Sequence, residues 1–150
     1  METVTYKKGY KYQLVEAYQL KIRIHPEEAI VTDYIELDTN GMITLKKGYA
    51  WDGPSGPTID TLNFMRGSLV HDALYQLMRH SKLDAEKHRL PADELLRDIC
   101  REDGMSWFRS LYVYQAVRLF GELSADEDFR KPRYQAPEPG ELPLPSLDTV

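Results

Sequence analysis

The sequence has a single cysteine, Cys100, among its 150 residues. No disulfide can form within it, which is typical of proteins from reducing compartments. Long apolar runs are also missing: no stretch reaches the length of a membrane span, and residues 1–13 lack the apolar core of a signal peptide. The sequence therefore predicts a chain without a transmembrane segment that is cytoplasmic when it is made.

The sequence also lacks the surplus of basic residues that nucleic-acid-binding proteins usually carry. It has 19 Lys and Arg residues against 24 Asp and Glu residues, a net charge of -5. Nucleic acid is therefore not an expected partner. Hydrophobic residues make up 42% and charged residues 29% of the chain, the composition of a globular protein with a sizeable core.

The first half of the chain carries strand-forming patterns. Tyr, Leu, Ile and Val are dense there, and Thr39-Asn40-Gly41 is a strong signal for a tight turn between two strands. His25-Pro26 interrupts the pattern between two other strands. We predict an antiparallel meander over residues 3–50, followed by a loop over residues 48–61 that glycine and proline hold in a defined path.

The second half carries helical patterns. Apolar residues recur three and four positions apart between Phe64 and Met78, which predicts a first helix. Pro91 is placed to open a second helix, which Gly104 ends. Residues 106–123 predict a third helix, apolar over such a broad arc that we expect it at the centre of the core.

The fold class that follows is α+β, with the N-terminal antiparallel β-meander packed on a C-terminal three-helix unit in one domain over residues 1–124. Residues 125–150 hold five of the nine prolines and show little hydrophobic periodicity. They predict an extended or disordered arm. Such an arm would wrap the domain or a neighbouring subunit, so an oligomer could form through it.

The first predicted helix concentrates ionisable groups. His71 and Tyr75 are four residues apart and share a face, and Asp72 is adjacent. Ionisable groups among apolar neighbours need partners, and histidine exchanges protons near neutral pH, which suits it to general-base catalysis. The alternative is structural: His71 and Asp72 would only hydrogen-bond the preceding loop.

The loop over residues 51–57 is the second candidate. A glycine-bearing loop can turn its carbonyl groups inward around a hard cation, and a carboxylate can complete the shell. Asp52, Asp60 and Asp72 are the carboxylates available. The alternative is an ordered turn in which Asp52 caps a helix and Trp51 enters the core.

Asp93 is the third candidate. At the predicted start of the second helix, the helix dipole by itself would account for a carboxylate. However, helices joined by a short connection usually pack antiparallel, so Asp93 could face His71 and orient its ring, as the third group does in a catalytic triad. Arg66 and Arg89 are expected to pair with Asp72 or Asp93.

Several separated motifs occur in a characteristic order along most of the chain. They are Trp51-Asp52-Gly53-Pro54-Ser55, Arg66, His71-Asp72-x-x-Tyr75, Ala92-Asp93 and Ala116-Val117-Arg118-Leu119-Phe120-Gly121. In this order they resemble a family of tailed-bacteriophage and prophage proteins of unknown function. The resemblance implies a phage-encoded accessory protein in the host cytoplasm or the virion, with phage or host proteins as partners.

A second, local resemblance concerns the glycine-containing loop, the His-Asp-x-x-Tyr helix and the aspartate of the next helix. Together they resemble the site of calcium-dependent phospholipase A2, especially the short bacterial type. The substrate that this implies is a lipid or another ester, whose carbonyl Ca²⁺ would polarise. The implied roles are water activation by His71, Ca²⁺ binding by Asp72 with loop carbonyls near Asp52 and Gly53, a hydrogen bond from Asp93 to His71, and support of Asp93 by Tyr75.

The sequence departs from the phospholipase pattern at several points and leaves two main interpretations. The disulfides of those enzymes are absent, and Pro54 and Pro57 stand where that family favours glycine. One interpretation is a metal-dependent hydrolase. The other is a non-enzymatic phage structural, assembly or host-interaction protein in which the His-Asp pair is a structural lock. A His-Asp phosphohydrolase ranks last, because the only upstream histidine, His25, lies in a β-like region.

Overall fold

The structure is a computed structural model that describes residue 4 and residues 6–7, 12–53 and 61–125. The predicted arm lies outside the described residues except for its first residue, and so do residues 54–60 of the predicted loop. Within the described residues the chain runs from β-strands into three helices. The predicted α+β class is therefore confirmed.

Seven strands of the described residues form two antiparallel sheets, with the orders β1-β2-β7 and β3-β6-β5-β4. β3 pairs with β6 rather than with its neighbour in sequence, so the region is not one continuous meander. Ala50–Trp51, predicted as loop, is a strand that pairs with β2. The strands are β1 (Tyr6–Lys7), β2 (Tyr12–Leu14), β3 (Tyr18–Lys21), β4 (Ile30–Val31), β5 (Ile35–Leu37), β6 (Met42–Leu45) and β7 (Ala50–Trp51).

The turn between β5 and β6 follows the prediction. The Asp38 carboxylate accepts hydrogen bonds from the backbone N–H groups of Asn40 (2.9 Å) and Met42 (2.8 Å). Gly41 has φ +84°, and a Cβ there would overlap the backbone carbonyl oxygen of Ile22. Only glycine meets both requirements at this position.

The helices are α1 (Leu62–Arg79), α2 (Ala85–Glu102) and α3 (Trp107–Ala125). α1 is the central helix, since residues on nearly all of its faces are buried. Its apolar residues share one core with fully buried strand residues such as Ile35 and Leu45. The prediction that the third helix is central is wrong: α3 buries Val113 but leaves Phe108 and Leu119 exposed.

α2 begins six residues before the predicted start at Pro91. Asp84 caps its first turn by accepting hydrogen bonds from the N–H groups of Glu86 (2.9 Å) and Lys87 (3.3 Å). Pro91 therefore lies inside the helix. The connection from α1 is short, and Gly104 follows the end of α2 with φ +95°, as predicted. The earlier start moves Asp93 from the first turn to the middle of α2, where the helix dipole no longer accounts for it.

Candidate functional site

The face of α1 that carries His71 and Tyr75 points into the helical part of the protein. Both side chains are buried, and their rings lie 4.1 Å apart between centroids. One helical turn separates them, so the helix itself sets this arrangement. The neighbouring Asp72 side chain keeps 31% of its surface exposed. α1 thus places one buried pair and one partly exposed carboxylate side by side.

Asp93 of α2 meets this pair and is fully buried. Its Oδ1 lies 2.7 Å from Nε2 of His71 and accepts a hydrogen bond of 2.5 Å from the Tyr75 hydroxyl. Its Oδ2 accepts a hydrogen bond of 2.9 Å from Arg118 of α3. The carboxylate is therefore bound by side chains from both other helices, and it joins all three.

These partners control the protonation of Asp93. Burial by itself raises the pKa of Asp93, but the hydrogen bonds from His71 and Tyr75, the charge of His71 and the hydrogen bond from Arg118 outweigh burial and hold this pKa below its usual value. Burial and then the hydrogen bond to Asp93 raise the pKa of the Tyr75 hydroxyl. The hydrogen bond to Asp93 also raises the pKa of Arg118. Asp93 is consequently an ionised acceptor surrounded by donors.

An ionised Asp93 fixes the tautomer of His71. A carboxylate can only accept hydrogen bonds, so Nε2 of His71 carries a proton and donates it to Asp93. In the neutral ring the other nitrogen, Nδ1, is then unprotonated. Nδ1 lies on the side of Asp72, whose Oδ1 is 4.0 Å away. In that neutral form, His71 presents the unprotonated Nδ1 on the side of a partly exposed carboxylate.

The charges of Asp52 and Asp72 both act on the buried hydroxyl of Tyr49. This hydroxyl donates a hydrogen bond of 3.3 Å to Gln76 of α1. Its pKa is raised by burial first and then by the negative charges of Asp72 and Asp52, while Arg79 lowers it. Both carboxylates are thus close enough to act electrostatically on one buried group.

Gly53, predicted to offer a loop carbonyl, follows β7 and has φ +73°. A Cβ at this position would clash with the ring of Tyr12, which itself packs 5.4 Å from the ring of Trp51. Trp51 in turn donates a hydrogen bond of 3.2 Å to Ser68 of α1. The start of the loop is therefore fixed to the sheet and to α1, and Trp51 enters the core as the structural alternative predicted.

The structure brings together some of the predicted site residues more closely than others. His71, Tyr75 and Asp93 are in direct contact, Asp72 is adjacent, and Asp52 and Gly53 lie where the chain leaves β7. Among the residues that the structure describes, no group of three or more His, Cys, Asp and Glu side chains is arranged to hold a metal ion. No described helix combines the length and hydrophobicity needed to cross a membrane.

The arginine that binds Asp93 is Arg118, not Arg66 or Arg89 as predicted. Arg89 instead lies 3.4 Å from the backbone carbonyl oxygen of Arg118. Sequence reasoning gave Arg118 no role, although a charged residue between Val117 and Leu119 interrupts an otherwise apolar stretch of α3. That interruption was the available signal, because a charge on a packed helix needs a partner.

Comparison of the chain with protein-family models, curated proteins and solved structures found no match. Both resemblances, to the phage family and to calcium-dependent phospholipase A2, therefore rest on the motifs alone.

The protonation of Asp93 leads to a first prediction, on acid stability. Because its pKa is lower in the folded chain than in the unfolded chain, Asp93 stabilises the fold above its unfolded pKa, and this contribution is lost as pH falls through the folded pKa. The free energy of unfolding should therefore decrease as pH drops below about 4, the ordinary range of a carboxyl group. Urea unfolding between pH 7 and pH 2 measures it.

The matched variants are Tyr75→Phe and Tyr34→Phe. Tyr75→Phe removes one donor to the ionised Asp93 while His71 and Arg118 stay, so the pKa of Asp93 rises and the acid loss becomes smaller. Tyr34 is 48% exposed, and its variant should follow the parent. An identical acid loss in the parent and in Tyr75→Phe would contradict this account.

Proposed function

We propose that the protein is a hydrolase of lipid or other esters in which His71 is the general base. The observation that carries the proposal is the buried contact between His71 Nε2 and Asp93 Oδ1. A buried carboxylate on one ring nitrogen is the arrangement that orients a catalytic histidine and stabilises its protonated form. Tyr75 and Arg118 hold Asp93 in place, and they act as positioning residues.

The reaction follows from the free nitrogen of His71. Nδ1 removes a proton from a water molecule, and the resulting hydroxide attacks the ester carbonyl carbon. The negative charge of Asp93 stabilises the imidazolium that forms. As the tetrahedral intermediate collapses, the C–O bond to the alcohol breaks and His71 returns its proton to the leaving oxygen. One ester and one water give one acid and one alcohol.

Ca²⁺ belongs to the proposal as the group that would bind at Asp72. Calcium prefers carboxylate and carbonyl oxygens, and the donors here are of that kind: the carboxylates of Asp72 and Asp52 and the backbone carbonyl of Gly53. The charges of both carboxylates act on the same buried tyrosine, Tyr49. When bound there, the ion would polarise the ester carbonyl and stabilise the oxyanion.

An activity assay with a matched histidine control tests the proposal. The substrates are a short-chain nitrophenyl ester and phosphatidylcholine vesicles, each with Ca²⁺ and with a chelator. We expect hydrolysis by the parent, a loss of about 10²–10⁴-fold in His71→Gln, and an unchanged rate in His80→Gln, an exposed residue at the end of the same helix. If the parent hydrolyses neither substrate, or if the parent and His71→Gln hydrolyse them at equal rates, the proposed hydrolase function is rejected.

The calcium part has a separate readout. Calorimetry on chelator-stripped protein should show binding of Ca²⁺ that Asp72→Asn abolishes, with Zn²⁺ and Mn²⁺ as comparison ions. Hydrolysis that persists in the chelator and in Asp72→Asn would remove Ca²⁺ from the proposal and leave the general base intact.

A second candidate function is a non-enzymatic phage assembly or host-interaction protein, with the His-Asp pair as a structural lock. It is favoured by one observation, namely that side chains of all three helices meet at Asp93. This function predicts two results. The parent chain hydrolyses neither substrate, and His71→Gln has a lower free energy of unfolding than the parent. The same two variants, His71→Gln and His80→Gln, therefore separate the two candidates.

A further inference from the structure

The outward side of α3 carries an apolar stripe. Phe108 is 79% exposed, Tyr112 56% and Leu119 74%, and their spacing of four and seven residues places them on one face. Trp107, also exposed, packs edge-on against Phe108 with ring centroids 5.1 Å apart. We refer to these four residues as the α3 outer face. Single exposed apolar residues are ordinary, but several exposed apolar residues on one helix face indicate a binding surface.

The segment that follows α3 has the composition that suits such a surface. Residues 126–150 hold five of the nine prolines, and Leu142-Pro143-Leu144-Pro145 alternates leucine with proline. Proline-rich segments bind to aromatic surfaces, because a chain that proline already restricts loses little conformational entropy on binding. Three of the four residues of the α3 outer face are aromatic.

We propose that residues 142–145 of the chain bind the α3 outer face of the same molecule, with Trp107, Phe108 and Tyr112 receiving the prolines and leucines. The segment can reach this position. α3 has 19 residues and is about 28 Å long at ~1.5 Å per residue. The 16 residues 126–141 can span up to about 50 Å at ~3.1 Å per residue.

The covalent connection favours this occupant over any other. A segment tethered by a short linker is present at an effective concentration in the millimolar range. A second copy of the chain or another protein would have to displace it from the α3 outer face. This inference does not depend on the proposed hydrolase activity, because none of its residues belongs to the His71 site.

Paramagnetic NMR on the full chain tests the inference. Cys100 is fully buried, and its burial is the main reason that the pKa of its thiol is raised to about 12. A thiol-reactive spin label added at neutral pH will therefore react with the cysteine introduced by Ser146→Cys and not with Cys100. We expect the amide signals of Phe108 and Tyr112 to lose intensity. Leu119 is not used as a readout, because it lies near the point where the segment leaves the helix.

Three further samples decide the outcome. Leu142→Glu with Leu144→Glu, in the labelled chain, should restore the Phe108 and Tyr112 signals, whereas Thr149→Glu should not. A mixture of labelled, unenriched chain with unlabelled, ¹⁵N-enriched chain should show no loss. Retained Phe108 and Tyr112 signals in the labelled Ser146→Cys chain without further substitutions would overturn the inference. An equal loss in the mixture would also overturn it and would assign the surface to the segment of a neighbouring copy.

Discussion

Asp93→Asn is expected to lower the free energy of unfolding by about 3–5 kcal/mol, the usual cost of removing one partner from a buried charged network. The asparagine keeps the shape of the side chain, but it offers one acceptor oxygen and one N–H₂ donor. His71 and Tyr75 both donate to Oδ1, and Arg118 donates to Oδ2. At least one of these donors would lose its acceptor and face the asparagine N–H₂ group at a fully buried side chain.

Urea unfolding followed by tryptophan fluorescence measures this effect, because unfolding exposes the buried Trp51. The control is Glu94→Gln, which changes the next residue of α2 in the same way but at a side chain that is 37% exposed. We expect the control to stay within about 0.5 kcal/mol of the parent. An Asp93→Asn variant as stable as this control would show that the three contacts do not stabilise the fold.

Arg66→Met is expected to have an effect of similar size, about 3–5 kcal/mol. Arg66 is 4% exposed, and it binds Asp103 through Nε (3.0 Å) and Nη2 (2.8 Å) in a bidentate ion pair. Nη2 also binds Glu102 at 2.6 Å, and Nη1 binds the hydroxyl of Tyr18 at 3.3 Å. These contacts connect α1 to the end of α2 and to β3. The variant would leave Asp103, only 12% exposed, without its bidentate partner.

The pKa of Arg66 agrees with this interpretation. Burial lowers it, but the hydrogen bonds to Asp103, Tyr18 and Glu102 outweigh burial and raise it above its usual value. The charged form is therefore the one that the fold stabilises.

A double-mutant cycle and an exposed control complete the experiment. Arg66→Met with Asp103→Asn should recover part of the lost stability, because no buried charge then lacks its partner. Arg23→Met removes the exposed pair with Asp98 (2.8 Å) and should cost about 0–1 kcal/mol. A cost for Arg66→Met that is no larger than for Arg23→Met would contradict the prediction.

The position of Asp93 shows how one wrong helix boundary weakens the case for a site residue. A helix that starts at Pro91 places Asp93 in the first turn, where the helix dipole is a sufficient reason for a carboxylate. The start is set instead by Asp84, whose side chain satisfies two N–H groups of the first turn. With Asp93 in the middle of a helix and fully buried, the carboxylate needs another explanation, and its three donors provide one.

α3 is a second place where the prediction from the sequence differs from the structure. Its apolar residues cover a broad arc, and a helix of this pattern usually lies in the core. Among residues 107–119 and 121 of α3, whose burial the structure describes, the buried ones are Ser110, Val113 and Gly121, and they lie on one side of the helix. Gly121 lies so close to the Tyr75 hydroxyl that a Cβ would overlap it. Hydrophobicity alone could not distinguish a core position from an exposed apolar surface, because both have the same periodicity.

By itself, the sequence determined the features that depend on neighbours along the chain. These are the α+β class, the turn at Gly41, the end of α2 at Gly104, and the placing of His71 and Tyr75 on one face, since backbone conformation and helical periodicity are local properties. The tertiary structure alone decided that Asp93 of α2 and Arg118 of α3 complete this face. Those contacts join residues 22 and 25 positions apart, and they depend on how three helices pack, which no local pattern specifies.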